Sequence, residues 1–143
     1  MKKAFTMIEL VFVIVVIGIL SAIAVPKFAA TRDDAMVSKG KSILAAVRNA
    51  IATERQKRIL RGDFTSITDL SNGGAGLVFS KFSADGDGNA NRVLEYPPKS
   101  CASDGCWSGS GTSYTFHVPG GTSCTYTLSN NRLTTTGCAV FGE

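Results

Sequence analysis

From Phe5 to Val25 the chain runs 21 residues with a single charged side chain, Glu9. At about 1.5 Å rise per residue that run makes a helix about 30 Å long, the thickness of a bilayer's hydrocarbon core. Lipid offers the backbone no hydrogen-bond partner, so the segment must satisfy its amides internally, whatever its Val and Ile content. Lys2 and Lys3 precede it. The excess of positive charge places that end in the cytoplasm and the remainder of the chain across the membrane.

Glu9 is the exception within the run. A carboxylate inside a span costs a few kcal/mol or more. Two readings follow: Glu9 lies near the membrane surface and stays hydrated, or it meets a positive partner in an assembled state. The next basic side chain after Phe5 is Lys27, out of reach within one subunit. An amine freed just before Phe5 on a neighbouring chain would supply the charge.

Ala4-Phe5-Thr6-Met7-Ile8-Glu9, behind two lysines, resembles the prepilin cleavage and methylation motif of type IV pilins and type II secretion pseudopilins. The resemblance implies a cut between Ala4 and Phe5 by a prepilin peptidase and N-methylation of Phe5. It also implies that Glu9, fifth from the new end, pairs with a neighbour's N-terminus during filament assembly. Gly18 and Pro26 stand where the family often has glycine and proline, and Pro26 is expected to kink or loosen the helix. Ala4 occupies a position that is usually glycine. The match covers about the first 30 residues; the family varies greatly beyond them. A rival site, Ala22-Ile23-Ala24, resembles an ordinary signal peptidase target and would release a soluble secreted protein starting at Val25. Glu9 inside the apolar region and Pro26 just beyond the cut speak against it.

After Pro26 the pattern turns amphipathic. Met36, Val37, Ile43, Leu44, Val47, Ala50, Ile51, Ile59 and Leu60 recur at spacings of three and four, one stripe of a helix. Gly62 after Arg61 is a favourable stop. The sequence therefore predicts a helix over Phe5–Arg61, about 85 Å long, whose second half packs on a globular head. Arg55, Lys57, Arg58 and Arg61 complement the dipole at its C-terminal end. The alternative, contact with DNA phosphates, lacks interleaved aromatic residues. A net charge of +4, falling to +2 without Lys2 and Lys3, is too mild to argue for nucleic acid.

Residues 62–75 read as loop with a short helix around Ser66–Leu70 and a turn at Gly73-Gly74, followed by a short strand at Leu77-Val78-Phe79. Asp85, Asp87 and Asn89 alternate as calcium-loop ligands do, but Ala90 and Tyr96 occupy the positions where an EF-hand needs Gly and Glu. A polar turn is the plainer reading; resemblance to the major pseudopilins, which carry a calcium loop in the head, keeps the site open. Strands are expected over Ser113–Val118, Cys124–Ser129 and Arg132–Thr136, the last two joined by an Asn130-Asn131 turn.

All four cysteines, Cys101, Cys106, Cys124 and Cys138, lie in the C-terminal third. Their spacing suits disulfides better than zinc, and so an oxidising compartment. Hairpin pairing sets Cys124 near Gly137 and, with one residue of slip, beside Cys138; Cys101–Cys106 would then close a small loop. Two other connectivities remain open at this point. His117, the one histidine, alternates in a strand beside Tyr114 and Phe116 as a satisfied side chain would. Trp107 reads as a packing residue. No nucleophile elbow, phosphate loop or His pair is present in the sequence, so no enzyme is expected.

The fold class expected is α+β: a leader 1–4, a membrane or filament-core helix half 5–25, an amphipathic half 26–61, and a head 62–143 with a small antiparallel sheet. The function expected is that of a pilin or pseudopilin, with DNA uptake as the alternative. Its partners would be copies of itself, other pilin-like subunits, the prepilin peptidase, an inner-membrane assembly platform and the membrane. The location would be the cytoplasmic membrane with a periplasmic head, then a filament.

Overall fold

The computed structural model describes residues 5–72 and 76–143. The leader, with Ala4, and the Gly73-Gly74 turn lie outside the described residues. One helix, α1 (Met7–Leu60), precedes four strands: β1 (Trp107–Ser110), β2 (Ser113–Phe116), β3 (Cys124–Ser129) and β4 (Arg132–Thr135). The strands form an antiparallel meander in chain order, and a 3₁₀ turn over Ala139–Phe141 follows. The α+β expectation holds. By compactness the chain divides into Met1–Ala35 and Met36–Glu143. The described part of the first is helical from Met7 and continues through Pro26. The second, the head, contains every buried residue of the core.

The helix stops where its sequence says it should. Gly62 adopts φ 78°, Gly62 N donates to Ile59 O at 3.0 Å and Asp63 N to Arg58 O at 2.9 Å. This pair of bonds is the Schellman arrangement, which satisfies carbonyls the last turn would otherwise strand.

The buried stripe of the head's helical part is Gly40, Leu44, Val47, Ile51, Glu54 and Arg58. The steps of four and three follow the helical period. Ile59 and Leu60, expected on this stripe, are instead 46% and 87% exposed. Each residue turns the helix by about 100°, so beyond Ile51 the period selects Glu54 and Arg58 and rotates Ile59 and Leu60 away. Two charged residues thus enter the interior, and they do so paired: Arg58 Nε lies 3.2 Å from Glu54 Oε1.

On the sheet, β3 alternates strictly, with Cys124, Tyr126 and Leu128 inward and Thr125, Thr127 and Ser129 outward. Tyr114, Phe116 and Leu133 add to the same buried face. Gly40 brings α1 close to it. A methyl at Gly40 would sit 2.6 Å from the Phe116 ring and 3.1 Å from that of Phe141, well inside contact distance. Gly40→Ala is expected to destabilise the head by about 1–3 kcal/mol through overpacking, read as a lower denaturation midpoint in detergent. An unchanged midpoint would show that the rings yield freely.

Asn130 and Asn131 take φ 49° and 59°, the mirror-image turn that matches strand twist. Ser129 pairs with Arg132 and Tyr126 with Thr135. Extending that register sets Gly137 opposite Cys124, and Cys138, one residue on, is bonded to Cys124 with 5.4 Å between Cα atoms. Strand β1 has no counterpart among the sequence expectations. Trp107-Ser108-Gly109-Ser110 carries one apolar residue, too few for an alternating signal. It exists because its partner is fixed: Trp107 to Ser110 pair with Phe116 to Ser113. Gly109, at φ 127°, runs so close to the backbone of Ser113 and Tyr114 that no Cβ fits.

Two local expectations fail between α1 and the sheet. Ser66–Leu70 is not helical. Its amides are claimed by side chains from elsewhere: Ile67 N donates to Asn131 Oδ1 (2.7 Å), Thr68 N to Ser83 Oγ (3.0 Å) and Leu70 N to Tyr114 Oη (2.8 Å). Leu77-Val78-Phe79 is not a strand but a lone bridge, Leu77 to Lys99, and Phe79 turns to φ 57°. That turn places Phe79 in the core, 5.2 Å from Trp107 and 4.9 Å from Tyr114 between ring centroids. Aromatic pairs of this kind are worth about 0.5–1.5 kcal/mol beyond their buried area, enough to offset a strained residue.

Candidate functional site

The N-terminal segment carries the densest functional pattern. Phe5, Met7, Ile8, Leu10, Val11, Phe12, and on to Ile23, Val25 and Phe28, are exposed around the whole circumference of α1. By length and composition this helix can cross a membrane. Consecutive apolar residues on every face distinguish it from the amphipathic stretch after it.

Glu9 is not left alone inside one subunit. Its Oε2 accepts from Thr6 N at 2.9 Å and from Thr6 Oγ1 at 2.8 Å, while Glu9 N approaches Thr6 Oγ1 at 3.4 Å. This is a capping box: residue three of the first turn reaches back to the residue that starts the helix. Charge alone points Glu9 to a basic partner, and none lies within reach in the sequence. Thr6-x-x-Glu9 ahead of an apolar run is the signal that reveals the neutral one. One carboxylate oxygen, Oε2, takes both Thr6 donors; Oε1 has no donor among the described residues.

Asp85, Asp87 and Asn89 do share one turn. Asp85 Oδ1 accepts the amides of Asp87 (3.2 Å) and Asn89 (2.7 Å), and Oδ2 lies 2.9 Å from Arg61 Nη2. These amides and the guanidinium hold the Asp85 carboxyl below its ordinary range, the Asn89 amide first. The carboxylate of Asp85 is thus oriented toward the helix end, with a cation already beside it. Next to it, Asp63 accepts from Gly86 N (2.9 Å) and Thr65 N (2.8 Å), which pulls its pKa from 3.8 to about 2.

A carboxylate depressed in the folded state stabilises above its unfolded value and loses that contribution as pH falls to the folded one. Asp63 should therefore contribute fully at neutral pH and lose its effect between about pH 4 and pH 2. The head's melting temperature is expected to fall across that window, and Asp63→Asn to flatten the fall. An equally steep fall in Asp63→Asn would assign it to other carboxylates.

The basic cluster does not form one surface. Arg58 is fully buried, bound to Glu54 and donating to Ser83 O at 2.6 Å. Arg61 faces Asp85, and Arg55 Nη1 donates to Thr65 O at 3.1 Å. Lys57 is exposed and lies 4.0 Å from Glu54. Three of the four therefore hold the loop after the helix rather than face a polyanion together. His117 is half-buried, with Nε2 2.8 Å from Ser108 Oγ. Trp107 is 1% exposed and packs within 5.6 Å of Phe79, Phe116 and Tyr126. Cys101 is bonded to Cys106 and Cys124 to Cys138. The larger of these loops spans 14 residues, and a closure of that size restricts the unfolded chain by about 3 kcal/mol.

A helix apolar on all sides at its start, bearing one capped glutamate, and continuing into a stripe that packs on an antiparallel meander defines the pilin class of protein. Residues 1–25 match the family described as a prokaryotic N-terminal methylation motif. The chain is 52% identical over 59 residues to the type IV narrow pilus major component PilA5 of Thermus thermophilus, covering 40% of this chain and 51% of that one. It is 33% identical over 107 residues to a type IV major fimbrial protein FimA of Dichelobacter nodosus, covering 62% and 69%. A fimbrial protein of Moraxella nonliquefaciens is 42% identical over 55 residues, 38% and 36% of the two chains. The match thus spans about half the length of the Thermus protein and about a third of the Moraxella one. No solved structure matches the chain. The chain belongs to the type IV pilin family.

Proposed function

We propose that this chain is a structural subunit of a type IV pilus. In this reading residues 5–25 hold it in the cytoplasmic membrane with the disulfide-bonded head on the far side. A prepilin peptidase hydrolyses the Ala4–Phe5 bond, releasing residues 1–4, and the freed Phe5 amine then displaces a methyl group from an electrophilic methyl donor, with loss of one proton. The inner-membrane assembly platform then moves the subunit into a helical filament, where Glu9 pairs with the Phe5 amine of a neighbour. The chain is the substrate of that chemistry and performs none itself.

One observation carries the reading: an apolar helix exposed on every face, interrupted by one carboxylate in its first turn. Lipid can cover such a helix, and so can identical helices. The three relatives are named as pilus or fimbrial components, which favours a pilus over a secretion pseudopilus. DNA uptake keeps less support, since Arg58 and Arg61 are engaged within the head.

Intact mass of the subunit recovered from membranes and from sheared filaments tests the processing. The expected species lacks residues 1–4 and carries one added methyl group. A chain beginning at Val25 would overturn the reading.

A further inference from the structure

Beside the long helix the head has an open groove of about 560 Å³. One wall is α1, with Arg48, Ile51 and Arg55; the other is the β3–β4 hairpin, with Asn131, Arg132 and Leu133. Ile51, Ala52 and Leu133 supply its apolar lining. No carboxylate is among its lining residues.

The three arginines differ in what they already hold. Arg48 is ion-paired to Glu143 and donates to Leu133 O. Arg55 and Arg132 have no carboxylate partner among the described residues. Arg55 spends one N–H on Thr65 O, and Arg132 is exposed at the hairpin. Two guanidiniums therefore flank an apolar trough with their charge unmatched.

Two matching charges stand elsewhere on the same chain. Asp33 and Asp34 are exposed and have no cation partner among the described residues. The helical positions three and four residues away, where an ion-pair partner would sit, hold Ala29, Ala30, Thr31, Met36, Val37 and Ser38. Adjacent acids in one helical turn repel each other until something basic approaches. Of the other exposed carboxylates without a cation among the described residues, Glu9 lies in the first turn of α1, and Asp87 and Asp104 are single charges in loops.

We infer that the groove between α1 and the β3–β4 hairpin receives the Asp33–Asp34 turn of a second copy of this chain, with Arg55 and Arg132 pairing its carboxylates. The inference rests on the polymer reading above and deepens it. In the helical filament proposed above, copies packed through their apolar helices would be staggered along its axis. A stagger brings an earlier stretch of one helix level with a later stretch of another. Arginine suits the task because its planar fork binds carboxylates in two-pronged fashion. Complementary charges contribute register more than raw affinity, and register is what an all-round apolar helix lacks.

A charge swap in filament-forming cells tests this. D33R/D34R and R55D/R132D are each expected to lower sheared-filament yield about tenfold, as like charges are brought together, with the membrane level of subunit unchanged. The fourfold variant, with the charges exchanged, is expected to regain most of the yield. Wild-type filaments scored in parallel judge the polymer reading separately. Normal yield from either reversal, or a fourfold variant as poor as both, would overturn the docking. A second measurement does not depend on disruptive variants. In filaments of R132K, zero-length carbodiimide coupling should join the introduced amine to Asp33 or Asp34 of another copy, identified by mass spectrometry. Other inter-subunit links without that one would also overturn it. So would salt-sensitive DNA binding lost with Arg55 and Arg132 when that link is absent, and the groove would then belong to nucleic acid.

Discussion

Glu9→Ala is expected to leave cleavage and methylation intact and to reduce filaments on the order of a hundredfold, the scale set by removing one partner of a desolvated charge pair. The reason lies in where the subunit starts. Apolar side chains that leave lipid for a bundle of similar helices gain packing but no hydrophobic free energy, because acyl chains are as apolar as leucine. Residues 5–25 therefore stabilise many registers almost equally. In the proposed filament, a single carboxylate that must meet a single amine would select one of them. The capping box supplies Glu9 with neutral donors within one chain, so a subunit held in the membrane would tolerate its acid, and a cation would be the stronger partner. Filament yield by shearing and intact mass of the membrane pool separate the two effects. Abundant filaments from the alanine variant, correctly processed, would remove the role given to Glu9. An unprocessed pool would instead place Glu9 in peptidase recognition.

Arg58→Met should be among the most destabilising single changes in the head. Glu54 is 2% exposed and Arg58 fully buried. Removing the guanidinium leaves a buried carboxylate whose remaining neighbours are the Asn91 amide, at 3.0 and 3.2 Å, and Lys57 at 4.0 Å. It also strands Ser83 O, which Arg58 Nη2 now satisfies. Breaking a buried pair in this way costs about 3–5 kcal/mol. For a domain of this size that lowers the melting temperature by more than about 10 °C. Replacing both members, Glu54→Leu with Arg58→Met, should recover much of the loss, since a whole buried pair can often be exchanged for apolar side chains. Thermal unfolding in detergent micelles, followed by circular dichroism, measures both. A melting temperature for Arg58→Met within two or three degrees of the parent would mean that water reaches Glu54, and the buried pair would lose its structural role.

Much of the candidate site is legible in the residues because its physics is local. The run from Phe5 to Val25 is apolar however the rest folds, and the motif around Phe5 and Glu9 is contiguous. Thr6 is equally legible as a cap, though attention to charge alone passes over it. The helix stop at Gly62 and the Asn130-Asn131 turn need only backbone preferences. Strand β3 declares itself by alternation.

What sequence could not decide were the places where a residue answers to a distant one. Ile59 and Leu60 belong to an apolar pattern, yet the helical phase set at Gly40 against Phe116 turns them to solvent. The same phase carries Glu54 and Arg58 inward, where each is tolerable because the other is there. Strand β1 has almost no signal of its own and is held by β2. Ser66–Leu70 gives up a helix because Asn131, Ser83 and Tyr114 take its amides. Alone, the sequence determined a long membrane-compatible helix, the methylation-type motif at its start and a sheet-bearing head, since these follow from periodicity and short-range preference. Only the tertiary structure decided which polar groups are buried and who satisfies them, because that depends on partners brought together from far along the chain.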